Sequence, residues 1–152
     1  MNSAELQEAY TGRGGWGKGK GRLAEVKPNS FQMVREFMET FGHPVFDKPT
    51  LIEDKAWEEM RVGLIEEELQ ELKEAVEARD IVAIADALGD LEYVVNGMAL
   101  GCGIDLPAVV TEIHRSNMTK LGPDGKPIYR EDGKILKGEG YEQPDLPTVL
   151  GL

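Results

Sequence analysis

The chain has 152 residues, with 28 acidic and 17 basic side chains and a formal net charge of −11. This length suits a single domain with a proper core, and the charge argues against a folded body that binds nucleic acid or an anionic membrane surface. Cys102 is the only cysteine, which excludes an intrachain disulfide and fits a reducing compartment. No apolar run approaches the length of a membrane span, and no signal-peptide core follows Met1, so we expect a cytoplasmic protein.

Residues 1–28 are predicted to form a flexible Gly/Lys-rich tail outside the core. Within this tail, residues 12–18 match both GxGxxG and GxxxxGK. A phosphate-binding loop needs a strand before it, a helix after it and a Ser or Thr behind the lysine. No convincing strand precedes this stretch, and Gly19 follows Lys18, so both matches are rejected.

The first helix is predicted over residues 31–41, with Asn29 or Ser30 as its N-cap. Apolar residues recur along it as in an amphipathic core helix: Met33, Val34, Phe37, Met38 and Phe41. Gly42 ends this helix and a loop with two prolines follows. The aromatic side chains are expected to be core residues rather than a stacking platform for a nucleobase, and His43 is expected to be a loop residue.

Two helical runs in the middle of the chain, residues 57–79 and 80–101, carry carboxylates where a core-facing helix carries leucines. The first run has two neighbouring stripes, Ile65, Leu69, Leu72, Val76 and Leu64, Glu68, Glu71, Ala75. This pattern places Glu68 at the shoulder of the apolar face. The second run is apolar almost all round, which is typical of a buried helix, yet Asp86 and Asp90 lie one turn apart on one face.

The short connection before Asp80, which can cap the second helix, predicts that the two helices pack antiparallel. Gly89 and Gly97 are expected to permit a close approach of the helices, because each otherwise costs up to ~1 kcal/mol in a helix interior. This packing brings the turn at residues 68–71 near the turn at residues 86–90.

Carboxylates that are buried and face one another take up protons unless a cation keeps them ionised. A hard divalent ion such as Mg²⁺ suits carboxylate oxygens, retained waters and substrate phosphates. The sequence therefore predicts a metal site between the two helices that holds a phosphate-rich ligand. Its candidate ligands are Glu67, Glu68, Glu71, Asp86 and Asp90, whereas Glu66, Glu74 and Glu77 are expected to form a solvated face.

A fourth helix is predicted from Leu106 to about Lys120, and its core side is expected to consist of Val109, Val110 and Ile113. His114 and Asn117 share a face with Lys120, where Asn117 and Lys120 could bind phosphate or sugar; an ordinary polar helix end is the alternative. Residues 122–152 contain two Asp-Gly pairs and several prolines. They are predicted to form an extended, hairpin-like tail that packs on the body or on a partner subunit.

The residues Glu67-Glu68-Leu-Gln-Glu71 resemble the EExxE motif of the all-α nucleoside triphosphate pyrophosphohydrolases, a superfamily that includes MazG-like proteins, dimeric dUTPases and phosphoribosyl-ATP pyrophosphohydrolases. Residues 86–97, DALGDLEYVVNG, look like its second motif, and residues 114–120 resemble the segment that contacts nucleotide phosphate or sugar. The resemblance covers roughly residues 31–146. The second motif is commonly ExxD, and Ala87 stands where its Glu would be, with Asp86 one residue earlier.

The resemblance implies an all-α fold in which residues 29–121 form the catalytic domain, and an antiparallel helical bundle is completed by oligomerisation into a homodimer or homotetramer. It implies hydrolysis of a nucleoside triphosphate to the monophosphate and pyrophosphate, with Mg²⁺ or, as a substitute, Mn²⁺. Glu67 and Glu68 then act as catalytic residues, and the five carboxylates act as metal ligands. The implied substrate contacts are His114, Arg115, Asn117 and Lys120.

Two other interpretations stay open on the sequence alone. A non-catalytic helical module that binds or senses a metal–nucleotide complex would share the acidic site without releasing pyrophosphate. A structural bundle with a solvated acidic face would show no effect of Mg²⁺ on melting. Among substrates, dUTP or dCTP is the first expectation, with phosphoribosyl-ATP and non-standard nucleotides as alternatives, because base choice depends on pocket shape rather than on the metal motif.

Overall fold

The fold is all-α over the part of the chain that the structure describes, as the sequence predicts. The computed structural model describes residues 29–152, and the predicted flexible tail with its two rejected glycine motifs lies outside them. Within this range the chain forms five helices and no continuous strand: α1 (Ser30–Thr40), α2 (Lys55–Ala78), α3 (Ile81–Gly101), α4 (Leu106–Met118) and α5 (Leu146–Leu150). None of these helices alone is long and apolar enough to cross a membrane, and only α3 and α4 taken together, as a bent pair, reach that length and composition.

The described residues divide into two compact units. The helical unit contains residues 29–111 and 145–152, and the turn unit contains residues 112–144. α4 therefore begins in the helical unit and ends in the turn unit. The division after residue 121, which composition favoured, stays a prediction.

Each long helix of the helical unit begins at a polar cap. The Asn29 side chain accepts a hydrogen bond of 2.9 Å from an N–H in the first turn of α1, and Asp80 accepts two, of 2.9 and 3.2 Å, at the start of α3. α2 begins at Lys55 because Asp54 caps it, a start that the sequence pattern placed two residues later. Arg79, with a φ of 55°, ends α2 in a left-handed conformation, so the predicted break between the two acidic helices is confirmed.

α1 packs on α3 through one narrow side. Val34 and Met38 are each 1% exposed and form the core cluster with Leu100 of α3. Phe37 and Phe41 are 39% and 67% exposed, so the expectation that they are core residues is wrong. The reason is that α3 is the main neighbour of α1, and a helix with one neighbour buries only the stripe that faces it.

The loop after α1 is tied to the end of α3. The Phe46 N–H donates to the Leu100 carbonyl at 3.0 Å. Gly103 adopts a φ of +64°, and a Cβ at this position would lie 1.9 Å from the Lys48 carbonyl oxygen. Only glycine fits such a close approach in this conformation. The loop therefore packs directly against the C-terminal end of α3.

α2 and α3 form an antiparallel hairpin, and two glycines of α3 let the helices approach closely. A Cβ on Gly101 would lie 2.2 Å from the Trp57 ring, and a Cβ on Gly97 would lie 2.9 Å from Nη1 of Arg61. These two contacts fix the register of the hairpin. The expectation for Gly97 is therefore confirmed, whereas the expectation for Gly89 is wrong, because a Cβ on Gly89 would meet no atom of another described element within 4 Å.

α3 is not buried all round, contrary to the prediction from its apolar sequence. Ile81, Val82 and Leu88 are 75%, 74% and 51% exposed. α1 and α2 cover its C-terminal half, which includes Leu100 at 1% exposure. On α4, Val110 was expected on the core side and is 54% exposed. The described chain therefore leaves a large apolar surface uncovered.

The turn unit contains two Asp-Gly turns of the same design. The Gly122 N–H donates to the Lys126 carbonyl at 2.7 Å, and the corresponding bond eight residues later is 2.8 Å long. Gly125 and Gly133 have φ values of +73° and +82°, a left-handed conformation that glycine adopts readily. Isolated antiparallel bridges join residue 121 to 127 and residue 129 to 135.

Candidate functional site

The register of the hairpin places Glu68 opposite Asp90. Glu68 lies seven residues after Arg61 on α2, and Asp90 lies seven residues before Gly97 on α3. Seven residues make about two helical turns. Because Arg61 contacts Gly97 across the antiparallel hairpin, Glu68 and Asp90 again face each other two turns further along. The structure thus brings together the two acidic turns of the sequence.

Glu68 lies on the buried stripe of α2 rather than at its shoulder. The residues of this stripe recur every three or four positions, and each is buried or half-buried: Trp57, Arg61, Leu64, Glu68, Leu72 and Ala75. The neighbouring stripe that the sequence favoured is more open, with Leu69 41% and Val76 55% exposed. The hydrophobic pattern alone predicted the wrong buried stripe. Glycines of α3 leave room for two large side chains of α2, because Gly101 faces Trp57 and Gly97 faces Arg61.

One oxygen of the Glu68 carboxylate has no partner. Its Oε2 atom is buried and accepts no hydrogen bond within the described part of the chain. Burial is the largest cause that raises the pKa of Glu68 above its usual range. The negative charges that add to this effect, in decreasing order, are those of Glu71, Asp90, Glu67 and Asp86. The other four predicted metal ligands therefore all act on Glu68, and the group as a whole favours the approach of positive charge.

The other four carboxylates open toward solvent. Glu67, Glu71, Asp86 and Asp90 are all exposed, and none of the ion pairs among the described residues involves them. Glu67 and Glu71 also line an open groove of about 460 Å³ with Gly63, Glu66 and Gln70. The site therefore combines one half-buried carboxylate with four that a ligand from solvent can reach.

This set of donors fits a hard divalent cation. All five side chains offer only oxygen, the ligand that Mg²⁺ prefers. Among the described residues, no three Asp, Glu, His or Cys side chains already surround a common point closely enough to hold an ion by themselves. Mg²⁺ commonly takes one or two protein carboxylates and completes its shell with water and phosphate, so an open set suits it better than it suits Ca²⁺ or Zn²⁺.

Ala87 occupies the position at which the second motif commonly carries Glu, and it is only 3% exposed. It therefore lies in the packed part of the hairpin, where little space remains for a longer side chain. Asp86 is exposed, and its charge acts on Glu68. The structure groups Asp86 with the other carboxylates, although it stands one residue earlier than the motif requires.

The four predicted substrate contacts, His114, Arg115, Asn117 and Lys120, all belong to the turn unit. The guanidinium of Arg115 is already bound: two of its N–H groups donate to Glu112 at 2.9 Å, and a third donates to Glu142 at 2.7 Å. The hydrogen bonds to Glu112 and then to Glu142 raise the pKa of Arg115. The pairing of Glu112 with Arg115, three residues apart on a helix, was readable from the sequence and was missed.

A cavity of about 280 Å³ in the helical unit was also missed by sequence reasoning. Phe37, His43 and Tyr93 are among its walls, and Arg61 reaches it from α2. The signal that could have pointed to it is an arginine four residues after Trp57, on the same stripe as Glu68.

A helical hairpin in which four carboxylates act on the half-buried Glu68 defines an all-α protein with an acidic centre between two helices. The model of the phosphoribosyl-ATP pyrophosphohydrolase family matches residues 34–117, a stretch that covers more than half of the chain and includes all five carboxylates. The chain belongs to this family, within the MazG-like nucleoside triphosphate pyrophosphohydrolase superfamily, and the resemblance seen in the sequence motifs is confirmed.

Two individual proteins are similar to this chain. An uncharacterised protein of Acanthamoeba polyphaga mimivirus is 34% identical over an alignment of 122 residues, and the match covers 76% of this chain. The chain spans about half, 46%, of the length of that relative. A crystal structure of a proposed NTP pyrophosphohydrolase from Exiguobacterium sp. 255-15 is 28% identical, with a TM-score of 0.43, and the match covers 80% of this chain and 92% of that chain.

Proposed function

We propose that the protein is a Mg²⁺-dependent nucleoside triphosphate pyrophosphohydrolase, which cleaves between the α and β phosphates and yields a nucleoside monophosphate and pyrophosphate. The observation that supports this most directly is the Glu68 carboxylate, which has a buried oxygen without a donor and is surrounded by four further carboxylates. Such a group costs stability unless a cation binds to it. Membership of the family supports the type of reaction.

In this proposal the metal ligands are drawn from Glu67, Glu68, Glu71, Asp86 and Asp90. Bound Mg²⁺ would neutralise phosphate charge and lower the pKa of a coordinated water. Glu67 is exposed on the open side of α2, where it can orient the attacking water and accept its proton. Glu68 lies on the stripe of α2 that packs against α3, and its buried oxygen has no hydrogen-bond partner within the described chain.

Substrate contacts by His114, Asn117 and Lys120 stay a prediction from the resemblance. Arg115 is a different case, because two carboxylates already occupy its guanidinium. We therefore assign Arg115 a role in holding the segment around Glu142 in the turn unit. This segment is also fixed by Ser116, whose hydroxyl donates to the Glu142 carbonyl at 2.7 Å.

The test is pyrophosphate release from a panel of ribo- and deoxyribonucleoside triphosphates, with and without Mg²⁺. The wild-type protein should release pyrophosphate from at least one nucleotide only when Mg²⁺ is present. Glu68→Gln and Asp90→Asn should lower kcat at least about a hundredfold, because each removes a charge that holds the ion. Glu77→Gln changes an exposed carboxylate outside this group and serves as the matched control. Full activity in both site variants would overturn the proposal.

A second candidate function rests on the burial of Ala87. If a carboxylate at that position is needed for chemistry but not for binding, the protein is a module that binds or senses a metal–nucleotide complex without cleaving it. The same panel separates the two functions. A nucleotide that raises the melting temperature with Mg²⁺ but releases no pyrophosphate identifies the binding module, and the lack of both effects leaves only an acidic helical bundle.

We also propose that the chain acts as a homo-oligomer. Apolar residues recur at alternating spacings of three and four along both helices of the hairpin: Val62, Ile65, Leu69, Leu72, Val76 on α2, and Ile81, Ile84, Leu88, Leu91, Val95 on α3. Such rows are typical of helices that pack in coiled coils and four-helix bundles. Val76 and Ile81 are nevertheless 55% and 75% exposed, and the hairpin of a second copy would cover them.

A further inference from the structure

Aromatic rings line the 280 Å³ cavity of the helical unit. Tyr93 meets Phe37 edge-on, with 5.6 Å between the ring centroids, and His43 lies nearly parallel to Phe37 at 6.5 Å. Phe37 and Tyr93 are 39% and 38% exposed, so part of each ring stays uncovered. Partly exposed rings of this kind bind planar ligands, because stacking needs only a flat π surface.

Arg61 brings a buried positive charge to the same cavity. It is 5% exposed, and its guanidinium makes one hydrogen bond within the described chain, from Nη2 to the Met38 sulfur at 2.9 Å. Sulfur is a weak acceptor. The Nε atom has no partner, and no carboxylate of the described residues forms an ion pair with Arg61.

The Arg61 guanidinium lies over the Trp57 ring, with 5.7 Å from its carbon to the ring centroid, but the ring offers no hydrogen-bond acceptor in the ring plane. A buried cation without a carboxylate partner is costly, and a structural arginine in a core is normally paired. Burial also lowers the pKa of Arg61. A guanidinium has five N–H donors and no acceptor. A ligand that completes this site must therefore present acceptor atoms to Arg61 and a flat ring to Phe37 and Tyr93.

The cavity lies next to the acidic centre on the same two helices. Leu64 lines the cavity and stands one turn before Glu68, and Tyr93 lines it three residues after Asp90. With a rise of about 1.5 Å per residue, these separations are roughly 4–6 Å along the helix axes. A ring in the cavity and a phosphate at the carboxylates can therefore belong to one nucleotide.

The volume of the cavity limits what it can hold. Pockets for drug-sized ligands measure about 300–1,000 Å³, and this cavity, at about 280 Å³, lies just below that range. It has room for one planar ring system but not for a complete nucleotide with its phosphates.

We propose that this cavity binds the base of the nucleotide, and that Arg61 selects bases that carry a keto oxygen and rejects adenine. Guanine, cytosine, uracil and thymine all present a carbonyl acceptor. Adenine has only ring-nitrogen acceptors and presents an amino donor where guanine presents its keto oxygen, and a guanidinium cannot accept a hydrogen bond from that donor. The proposal rests on the proposed function, since it treats the cavity and the carboxylates as parts of one substrate site.

The first experiment measures binding of compounds that the proposed reaction does not cleave. Calorimetry with GMP, CMP, UMP and AMP in the presence of Mg²⁺ should show that at least one keto base binds about tenfold or more tightly than AMP, as expected for a good arginine–base contact. Arg61→Met removes the donors and keeps a flexible side chain, and should reduce this preference to within about threefold. Arg35→Met is the matched control, since Arg35 pairs with Asp47 on the surface and does not line the cavity.

The stability of the variants separates recognition from a structural role. Arg61→Met should melt at the same temperature as the metal-free wild type or higher, because it removes a buried charge that has no carboxylate partner and keeps a long, flexible side chain in the contacts with Gly97 and Trp57. A lower melting temperature together with an unchanged base preference would show that Arg61 is only structural. Arg61→Lys keeps the charge without the planar fork, should lose most of the preference, and serves as the second variant if Arg61→Met does not fold.

The two proposals can fail independently. If the base preference depends on Arg61 but no nucleotide releases pyrophosphate, the base pocket is supported and the enzymatic function is overturned. The opposite result is also possible: both the wild type and Arg61→Met release pyrophosphate, and each has the same kcat/KM for dATP as for the keto-base nucleotides. That result overturns the base pocket and supports the enzymatic function. Tighter binding of AMP than of all three keto-base monophosphates also overturns the role of Arg61.

Discussion

Glu68 is the residue at which stability and the proposed function conflict. Its carboxylate has a buried oxygen without a donor and faces four other carboxylates. Glutamine has nearly the same shape, carries no charge and can donate a hydrogen bond. Calorimetry in EDTA should therefore show that Glu68→Gln raises the melting temperature of the metal-free protein by about 2–6 °C, which corresponds to roughly 1 kcal/mol.

Glu77→Gln again serves as the control for this change, because Glu77 is exposed and lies outside the acidic centre. It should melt within about 1 °C of the wild type, since surface substitutions have little effect on stability. Mg²⁺ should stabilise the wild type more than Glu68→Gln. A lower melting temperature for metal-free Glu68→Gln would show that the carboxylate is stabilising and that its charge has a partner.

Ala87 lets the missing glutamate of the second motif be tested directly. Because this position is 3% exposed, Ala87→Glu places a carboxylate in the packed interface close to charges of the same sign. We expect it to lower the free energy of unfolding of the metal-free protein by at least about 2 kcal/mol, measured by urea denaturation. Ala78→Glu, at an exposed position near the end of α2, should stay within about 0.5 kcal/mol. Equal stability of Ala87→Glu and the wild type would show that the interface has room for a ligand there.

At the scale of the elements, two glycines of α3 form a matched pair. A Cβ on Gly101 would lie 2.2 Å from the Trp57 ring, whereas nothing lies within 4 Å of a Cβ on Gly89. Gly101→Ala should therefore destabilise the protein by about 1–3 kcal/mol through overpacking. Gly89→Ala should stabilise it by about 0.5–1 kcal/mol, because alanine has the better helix propensity. Thermal melting measures both, and a stable Gly101→Ala would mean that the helices do not pack in this register.

The local features of the fold could be predicted from the sequence because they depend on neighbouring residues. Asn29 and Asp80 are helix caps that bond to the first turn of their own helices. A short connection joins α2 and α3, so the two helices pack antiparallel and their acidic turns lie close together. The two acidic turns could likewise be recognised from spacing along single helices, whereas metal binding by their five carboxylates stays a prediction.

Features that depend on which surfaces meet could not be predicted in this way. The sequence pattern favoured Leu69 and Val76 for the buried side of α2, but Trp57 and Arg61 are buried because Gly101 and Gly97 make room for them. That pairing involves residues about 40 positions apart, and no periodicity within one helix reveals it. The cavity depends on the same pairing, and therefore Arg61 was overlooked.

At the scale of the whole molecule, the rows of apolar residues on α2 and α3 are only partly covered within the described chain. Five members of these rows are 41–75% exposed: Val62, Leu69, Val76, Ile81 and Leu88. A monomer rarely leaves large apolar surfaces exposed unless they form an interface. The two rows have the spacing of a helical bundle, and both belong to the hairpin that carries the carboxylates. Self-association would therefore complete the bundle without adding any element to the chain.

The proposed homo-oligomer leads to a prediction for the mass in solution. Light scattering coupled to size-exclusion chromatography should give a multiple of the 16.8 kDa chain mass for the wild type. The double variant Ile81→Lys, Leu88→Lys places two charges on the α3 row, where they would be buried without partners in an oligomer, and should shift the mass toward that of one chain. Leu51→Lys, at a position that is 87% exposed and outside the hairpin, should leave the mass unchanged. A wild-type protein that is monomeric at all concentrations, or a double variant that associates as the wild type does, would show that these apolar rows do not form the interface.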